Sequence, residues 1–324
     1  MSRWTPGCDW PDVPRAELPL TLPTARLEQR APLATVWRRT RVFLRSMGAR
    51  FGALVVAAVA LCAVAPGWLA PADPNAQELL ARFTPPATRT TAGTLAALGT
   101  DQLGRDVLSR VIHSAKTSVL IGLAAVALAG GVGVSLGLFA GFRGGLPDHV
   151  IMRLADMQLA FPFILLAITV IGVLGPSVRN IVLVVGLCNW VAYARVARAE
   201  TLAFRERACV DAARALGLPD WRIVWRYILP NVSASLIVCA TFGVAGAILT
   251  EAGLSFLGLG VPLHIPSWGG MLAEGRQFVD TRYWLALFPG AALFLTVMAI
   301  NLLGDALRDA LDPYLQVRRS IDQL

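Results

Sequence analysis

Six stretches of this sequence run without one charged side chain for about the length needed to cross a bilayer: residues 51–72, 117–142, 157–178, 180–194, 227–250 and 283–304. Spanning ~30 Å of hydrocarbon takes roughly 20 helical residues at about 1.5 Å each. Apolar residues make up 56% of the 324-residue chain and charged ones 15%, against about a quarter charged in soluble domains. A chain this long can bury a soluble core, so the apolar excess calls for a second solvent. The expected fold is an all-α integral membrane protein with six transmembrane helices. The fourth run is short, but Arg195 and Arg198 beyond it can snorkel. The first starts well past the end of a cleaved signal peptide and is expected to stay as an anchor. Residues 252–273 are also uncharged, yet their glycines and two prolines make a poor helix. They are expected to form a folded or re-entrant extracytoplasmic loop.

The formal net charge is +8, carried almost wholly by arginine, with Lys116 the only lysine. These arginines flank apolar runs instead of alternating with aromatics, which points to a membrane surface and away from nucleic acid. They also set the orientation. With the amino terminus inside, the cytoplasmic side holds nine basic residues before residue 51, two between the second and third runs, seven in 195–226 and three near the carboxy terminus. That is 21 inside and 8 outside, so both termini are expected in the cytoplasm. The implied organisation is a tail and interfacial segment over 1–50, a first span over 51–72 and an extracytoplasmic loop with an interfacial helix over 73–116. A core over 117–304 then carries five more spans, and 305–324 forms a cytoplasmic tail.

Catalytic patterns are sparse. No lysine stands where a phosphate-binding loop needs one, and neither His113, His149 nor His264 has metal-ligand spacing. The five cysteines lack C-x-x-C spacing, and those inside apolar runs read as small hydrophobes. The loop over 201–230 is more informative. Ala208, Ala212, Ala215 and Leu216 fall near one helical face, and Arg207, Asp211 and Arg214 on another. Gly217 suits the left-handed residue that ends a helix, and Pro219-Asp220 suits the start of a second one, with Arg222 and Arg226 sharing a face. These features describe a helix–turn–helix elbow, either a solvated connector or a docking site.

Asp211-Ala212-Ala213, three residues, Gly217, and then Leu229-Pro230 resemble the Glu-Ala-Ala loop of ABC importer permeases. Asp211 stands for the glutamate, and Tyr227 stands where the general pattern has isoleucine. Ala70-Pro71-Ala72-Asp73-Pro74, the stretches 99–110 and 254–260, Pro266-Ser267-Trp268-Gly269 and the stretch 301–313 resemble the dipeptide, oligopeptide and nickel permeases, in particular the second ("C") of the two such importers carry. His113 to Lys116 and His264 depart from the commoner residues there. The resemblance implies a coupling helix between the fourth and fifth spans, with Asp211, Ala212, Ala213, Arg214, Gly217, Leu229 and Pro230 as its ATPase-coupling residues. It implies a second homologous permease, two cytoplasmic ATPase subunits that bind ATP and magnesium on this chain's behalf, and an extracytoplasmic solute-binding protein. No cofactor is expected in the chain itself, and the cargo is a di- or oligopeptide or a similar small solute.

Three further segments have plain physical readings. Asp101, Arg105, Asp106 and Arg110 suit an interfacial helix laced by ion pairs, each contributing ~0.3–0.5 kcal/mol if exposed. Gly133, Gly137 and Gly141, four apart, permit a close helix approach, within the chain or against the partner permease. Glu251, at the outer end of the fifth run, is expected either at the interface or facing a translocation cavity. An ion-driven secondary transporter is the alternative. It would place carboxylates or histidines in the middle of the spans, where this sequence has none.

Overall fold

The computed structural model describes residues 46–311 except 92 and 263. The tail over 1–32, most of the surface segment over 33–50, Cys8 and the residues after 311 fall outside that range. Helix α1 (Met47–Val64) starts where the Ser46 hydroxyl accepts the Ala49 N–H at 3.1 Å, and it stops short of Pro66. One further turn, α2 (Pro66–Leu69), carries the chain on. The first apolar run is therefore two pieces, not one helix to residue 72.

Residues 70–106 form a folded loop with a single 3-10 turn (Leu79–Ala81) and a two-residue antiparallel ladder of β1 (Thr88–Arg89) with β2 (Leu95–Ala96). The interfacial helix expected near 99–110 is absent. Asp101 instead accepts the N–H groups of Leu103 and Arg105 on one carboxylate oxygen, at 2.8 and 2.9 Å, and folds the backbone into a turn. Asp106 then caps helix α3 (Val107–Arg143) by accepting the Ser109 N–H at 2.8 Å. At 37 residues α3 is ~55 Å long, because ten residues assigned to the outer loop extend the second span.

The third run also divides. Helix α4 (Gly145–Leu159) and helix α5 (Phe163–Leu174) meet at an 86° bend over residues 160–162. Pro162 denies the chain a helical donor there. Helix α6 (Val178–Phe204) runs far past Ala194, since Arg195 and Arg198 do not snorkel. Arg195 pairs with Asp156 at 2.8 Å, and Arg198 grips both oxygens of Asp148. After α6 come α7 (Ala208–Ala215), α8 (Asp220–Ile223), one π-helical turn (Val224–Ile228) and α9 (Leu229–Phe256). Then follow α10 (Trp268–Gly275) and α11 (Trp284–Leu311). Among the described residues, five helices are long and apolar enough to span a membrane, or six if the bent α4–α5 pair is one span.

Helix α3 is the axis of the bundle. Its Gly133, Gly137 and Gly141 lie against α6 so closely that a Cβ would overlap the carbonyl oxygens of Trp190 and Ala194, or sit 2.9 Å from that of Arg198. The glycine stripe thus forms a seam within the chain. Gly52 does the same for α1, where a Cβ would come 2.8 Å from the Ala299 oxygen of α11. Glycine at these contacts allows backbone-to-backbone approach that lipid-solvated helices otherwise cannot achieve.

Candidate functional site

The sequence-predicted elbow is present. Helix α6 ends at Phe204, and Arg205-Glu206-Arg207 turns the chain into α7. Arg205 donates to the Gly141 carbonyl at 2.9 Å, satisfying an open acceptor at the end of α3. Asp211 lies in the first turn of α7 and Arg214 in the last, each favourably placed in the helix dipole, and they pair at 3.7 Å. Gly217 closes the helix at φ +73°. Leu218 N–H donates to Ala213 O at 3.2 Å and Gly217 N–H to Arg214 O at 2.9 Å, the two bonds of a Schellman cap.

The elbow has a buried underside and a free outer face. Val210 and Ala213 are buried against Phe142, Phe204 and Ile223. Asp211, Ala212, Arg214 and Gly217 are exposed, and so are Ala208, Ala215 and Leu216, the last at 81%. The alanine–leucine face therefore points out of the fold. Leu229 packs on the same cluster as Ala213, while Pro230 is exposed on the first turn of α9. The seven residues singled out in the sequence thus form one unit in which Ala213 and Leu229 support the surface that the others present.

Several neighbours were invisible in the sequence. Arg214 stacks over Phe142 at 5.3 Å, and Arg143 lies 3.8 Å from Asp220, so both arms of the elbow touch the end of α3. Trp221 and Trp225 are each 62% exposed. No helical period could relate Arg143 to Asp220, 77 positions later. The π-helical turn is a further surprise, and it has a local cause. Pro230 has no N–H to give the preceding turn, and the wider turn directly before it, which contains Tyr227, absorbs the mismatch. As a result 220–256 runs as one 37-residue rod from the elbow into the fifth span, where two separate pieces had been expected.

At the other end of α3, Arg105 and Arg110 both reach Asp101 and Glu274, at 2.6 to 2.7 Å. This cluster joins the outer loop, α3 and α10, and all four side chains are largely buried. The exposed ion pairs of an interfacial helix are replaced by a buried network. Glu251 faces no open cavity: at 0% exposure it takes hydroxyl hydrogen bonds from Ser255 at 2.7 Å and Ser118 at 3.3 Å.

A hydrolase-like pattern, Gly133-Val134-Ser135-Leu136-Gly137, lies inside α3. Ser135 donates to the Gly131 carbonyl in mid-helix at 2.7 Å, without the strand-to-helix turn that exposes a nucleophile. No group of three or more metal-ligating side chains occurs among the described residues.

A bundle of membrane-length helices with an exposed elbow at one end has the build of a membrane transport subunit. The chain belongs to the family of binding-protein-dependent transport system inner membrane components, whose profile matches residues 133–317. Residues 32–86 match the N-terminal transmembrane domain of oligopeptide transport permease C. The chain is 42% identical over 286 residues to a di/tripeptide transport system permease protein of Pseudomonas aeruginosa, covering 88% of this chain and 93% of that one. It is 39% identical over 287 residues to a dipeptide permease of Haemophilus influenzae, covering 89% and 96%. A solved inward-facing MetNI methionine ABC transporter aligns with TM-score 0.45 and 19% identity, over 60% of this chain and 94% of that chain. The protein is accordingly a permease subunit of the inner membrane, as the motifs at 99–110, 211–230 and 254–269 indicated.

Proposed function

We propose that this chain forms half of a translocation path for di- or oligopeptides, together with a homologous permease, in an ATP-driven importer. One of two ATPase subunits docks at the α7 elbow, the pair supplies the ATP and magnesium chemistry, and a solute-binding protein delivers cargo at the opposite end. The observation that carries this reading is the outward alanine–leucine face of α7. Small side chains backed by a packed underside present a rigid, close-fitting ridge, and Asp211 and Arg214 at its edges supply polar contacts. Peptide cargo rests on the relatives, which are named as dipeptide and di/tripeptide permeases. The arginine distribution puts the elbow in the cytoplasm.

Cys209, exposed on α7 two residues before Asp211, is a built-in reporter. In the transporter recovered with its ATPases, maleimide labelling of Cys209, mapped by mass spectrometry, is expected to fall at least about tenfold relative to the chain stripped of them. Equal labelling in both states would remove the docking assignment.

Gly217→Val tests the cap. A Cβ there meets no atom within 4 Å, so any penalty is backbone strain alone. A β-branched residue at φ +73° costs about 1–3 kcal/mol, enough to unwind the end of α7 while the spans remain in place. The variant is expected to insert normally and to lose its ATPases on mild detergent extraction. Normal co-purification would show that the cap does not shape the dock.

A further inference from the structure

The motif over 254–269, which coupling to an ATPase leaves unexplained, is built around Glu251. Ser255, in the first half of the motif, donates to one oxygen of the Glu251 carboxylate at 2.7 Å, and Ser118 of α3 donates to the other at 3.3 Å. The glycines of the motif make room for this. A Cβ on Gly260 would overlap the Ser255 hydroxyl, and one on Gly269 would come 2.5 Å from the Ala252 Cα. Gly258 reverses the chain after α9 at φ +83°. A glutamate with 0% exposure is thus held by two hydroxyls, one from α3 and one from α9 itself.

Both ends of the α8–α9 rod pack on α3, but only the outer end adds a buried hydrogen bond to it. At the elbow end, Ile223, Ile228 and Val232 are buried against Leu138 and Phe142, and apolar contact is non-directional and tolerates sliding. At the other end Ile248 and Ala252 pack with Ala115, and the Ser118–Glu251 hydrogen bond adds a directional contact that fails on small displacement. The π-helical turn at Val224–Ile228 sits at the slipping end. From Asp220 to Glu251 the rod spans ~46 Å at about 1.5 Å per residue, so a small displacement of the elbow becomes a rotation about a distant fixed point.

We infer that Glu251 is a positioning residue for transport: it is the pivot about which the fifth span turns when the elbow is displaced, and α10 moves with it through Trp268 and Gly269, which pack on the adjacent Ala252. This rests on the permease reading above. Its test is ATP-driven uptake of dialanine by the complete transporter in proteoliposomes, with peptide moved per ATP hydrolysed as the readout. Glu251→Ala is expected to lower that ratio about tenfold or more, the scale of losing one to two hydrogen bonds, with ATPase retention and Cys209 protection unchanged. Glu251→Gln keeps an acceptor and gains donors, and is expected to restore most of the ratio.

If the alanine chain does not assemble, the double variant Ser118→Ala with Ser255→Ala removes the same anchor from its partners and is expected to show the same uncoupling. An unchanged ratio in the assembled alanine chain, or in the double variant where alanine fails to assemble, would overturn the pivot. So would a glutamine chain as uncoupled as alanine. No ATP-driven uptake by the unmodified transporter would instead count against the permease reading.

Discussion

Gly137→Val is expected to prevent recovery of a folded chain, whereas Gly131→Val, less than two turns away on the same helix, is expected to be harmless. A side chain at position 137 would overlap the Ala194 carbonyl oxygen and meet the Ala197 Cβ at 2.8 Å, in the middle of the α3–α6 seam. Backbone cannot yield as a side-chain tip can, so α3 and α6 must separate along the contact that Gly133, Gly137 and Gly141 create. Overpacking a well-fitted core costs about 1–3 kcal/mol, and a backbone clash belongs at or beyond the upper end. Water contributes little to the association of helices in lipid, so lost packing is not made up elsewhere. At Gly131 a Cβ meets nothing within 4 Å. Thermal unfolding in detergent, read as the temperature at which half the chain leaves its size-exclusion peak, should separate the two variants clearly. Similar values for both would mean that the glycine seam is not what holds α3 to α6.

Glu274→Ala is the second large effect. It leaves Arg105 and Arg110, with side chains 6% and 4% exposed, facing Asp101 alone. Removing one partner from a buried ionic network costs about 3–5 kcal/mol, because the remaining charge stays desolvated. Detachment of α10 and the outer loop from α3 is expected, read as faster proteolysis of residues 70–106 in right-side-out vesicles. An unchanged cleavage rate would show that the network is not what clamps this loop.

The same network has a pH signature. Burial pushes the Glu274 carboxyl up, but hydrogen bonding to Arg110 and the charges of Arg110 and Arg105 outweigh it and hold the group below the ordinary glutamate range. A depressed folded value adds stability above the unfolded value of ~4.3, and that stability is lost as pH falls through the folded value. Proteolysis should therefore be flat from pH 7 to 5 and rise only below about 4. A rise already at pH 6 would contradict the direction of the shift.

The elbow shows how much a short pattern can specify. Gly217 as a helix-ending residue, Pro219-Asp220 as a restart, and the segregation of Ala208, Ala212, Ala215 and Leu216 from Asp211 all follow from local geometry, and all hold in the fold. Which alanine faces inward was not legible. Ala212 and Ala213 are chemically identical, and only the position of Phe142 and Phe204 beneath α7 selects Ala213 for burial. The membrane spans were legible for a similar reason. The absence of charge over 20 residues is a one-dimensional property, and lipid reads it as such.

The boundaries failed where side chains far apart in sequence compensate one another. Arg195 and Arg198 look like the end of a helix until Asp156 and Asp148 of α4 appear beside them. Asp101, Arg105 and Arg110 look like an exposed helical ladder until Glu274, more than 160 residues later, buries them in a turn. The uncharged run over 157–178 hides a bend of 86° because hydropathy does not record direction.

The sequence by itself determined the solvent of this protein, its approximate number of crossings and the local shape of the elbow over 201–230, since each depends on residues within a few turns of one another. Only the tertiary structure decided that 220–256 is one rod, that the glycine stripe faces α6, and that Glu251 is held by serines from α3 and α9. Those outcomes depend on which distant backbones can approach closely enough to touch, and that is fixed by packing in three dimensions.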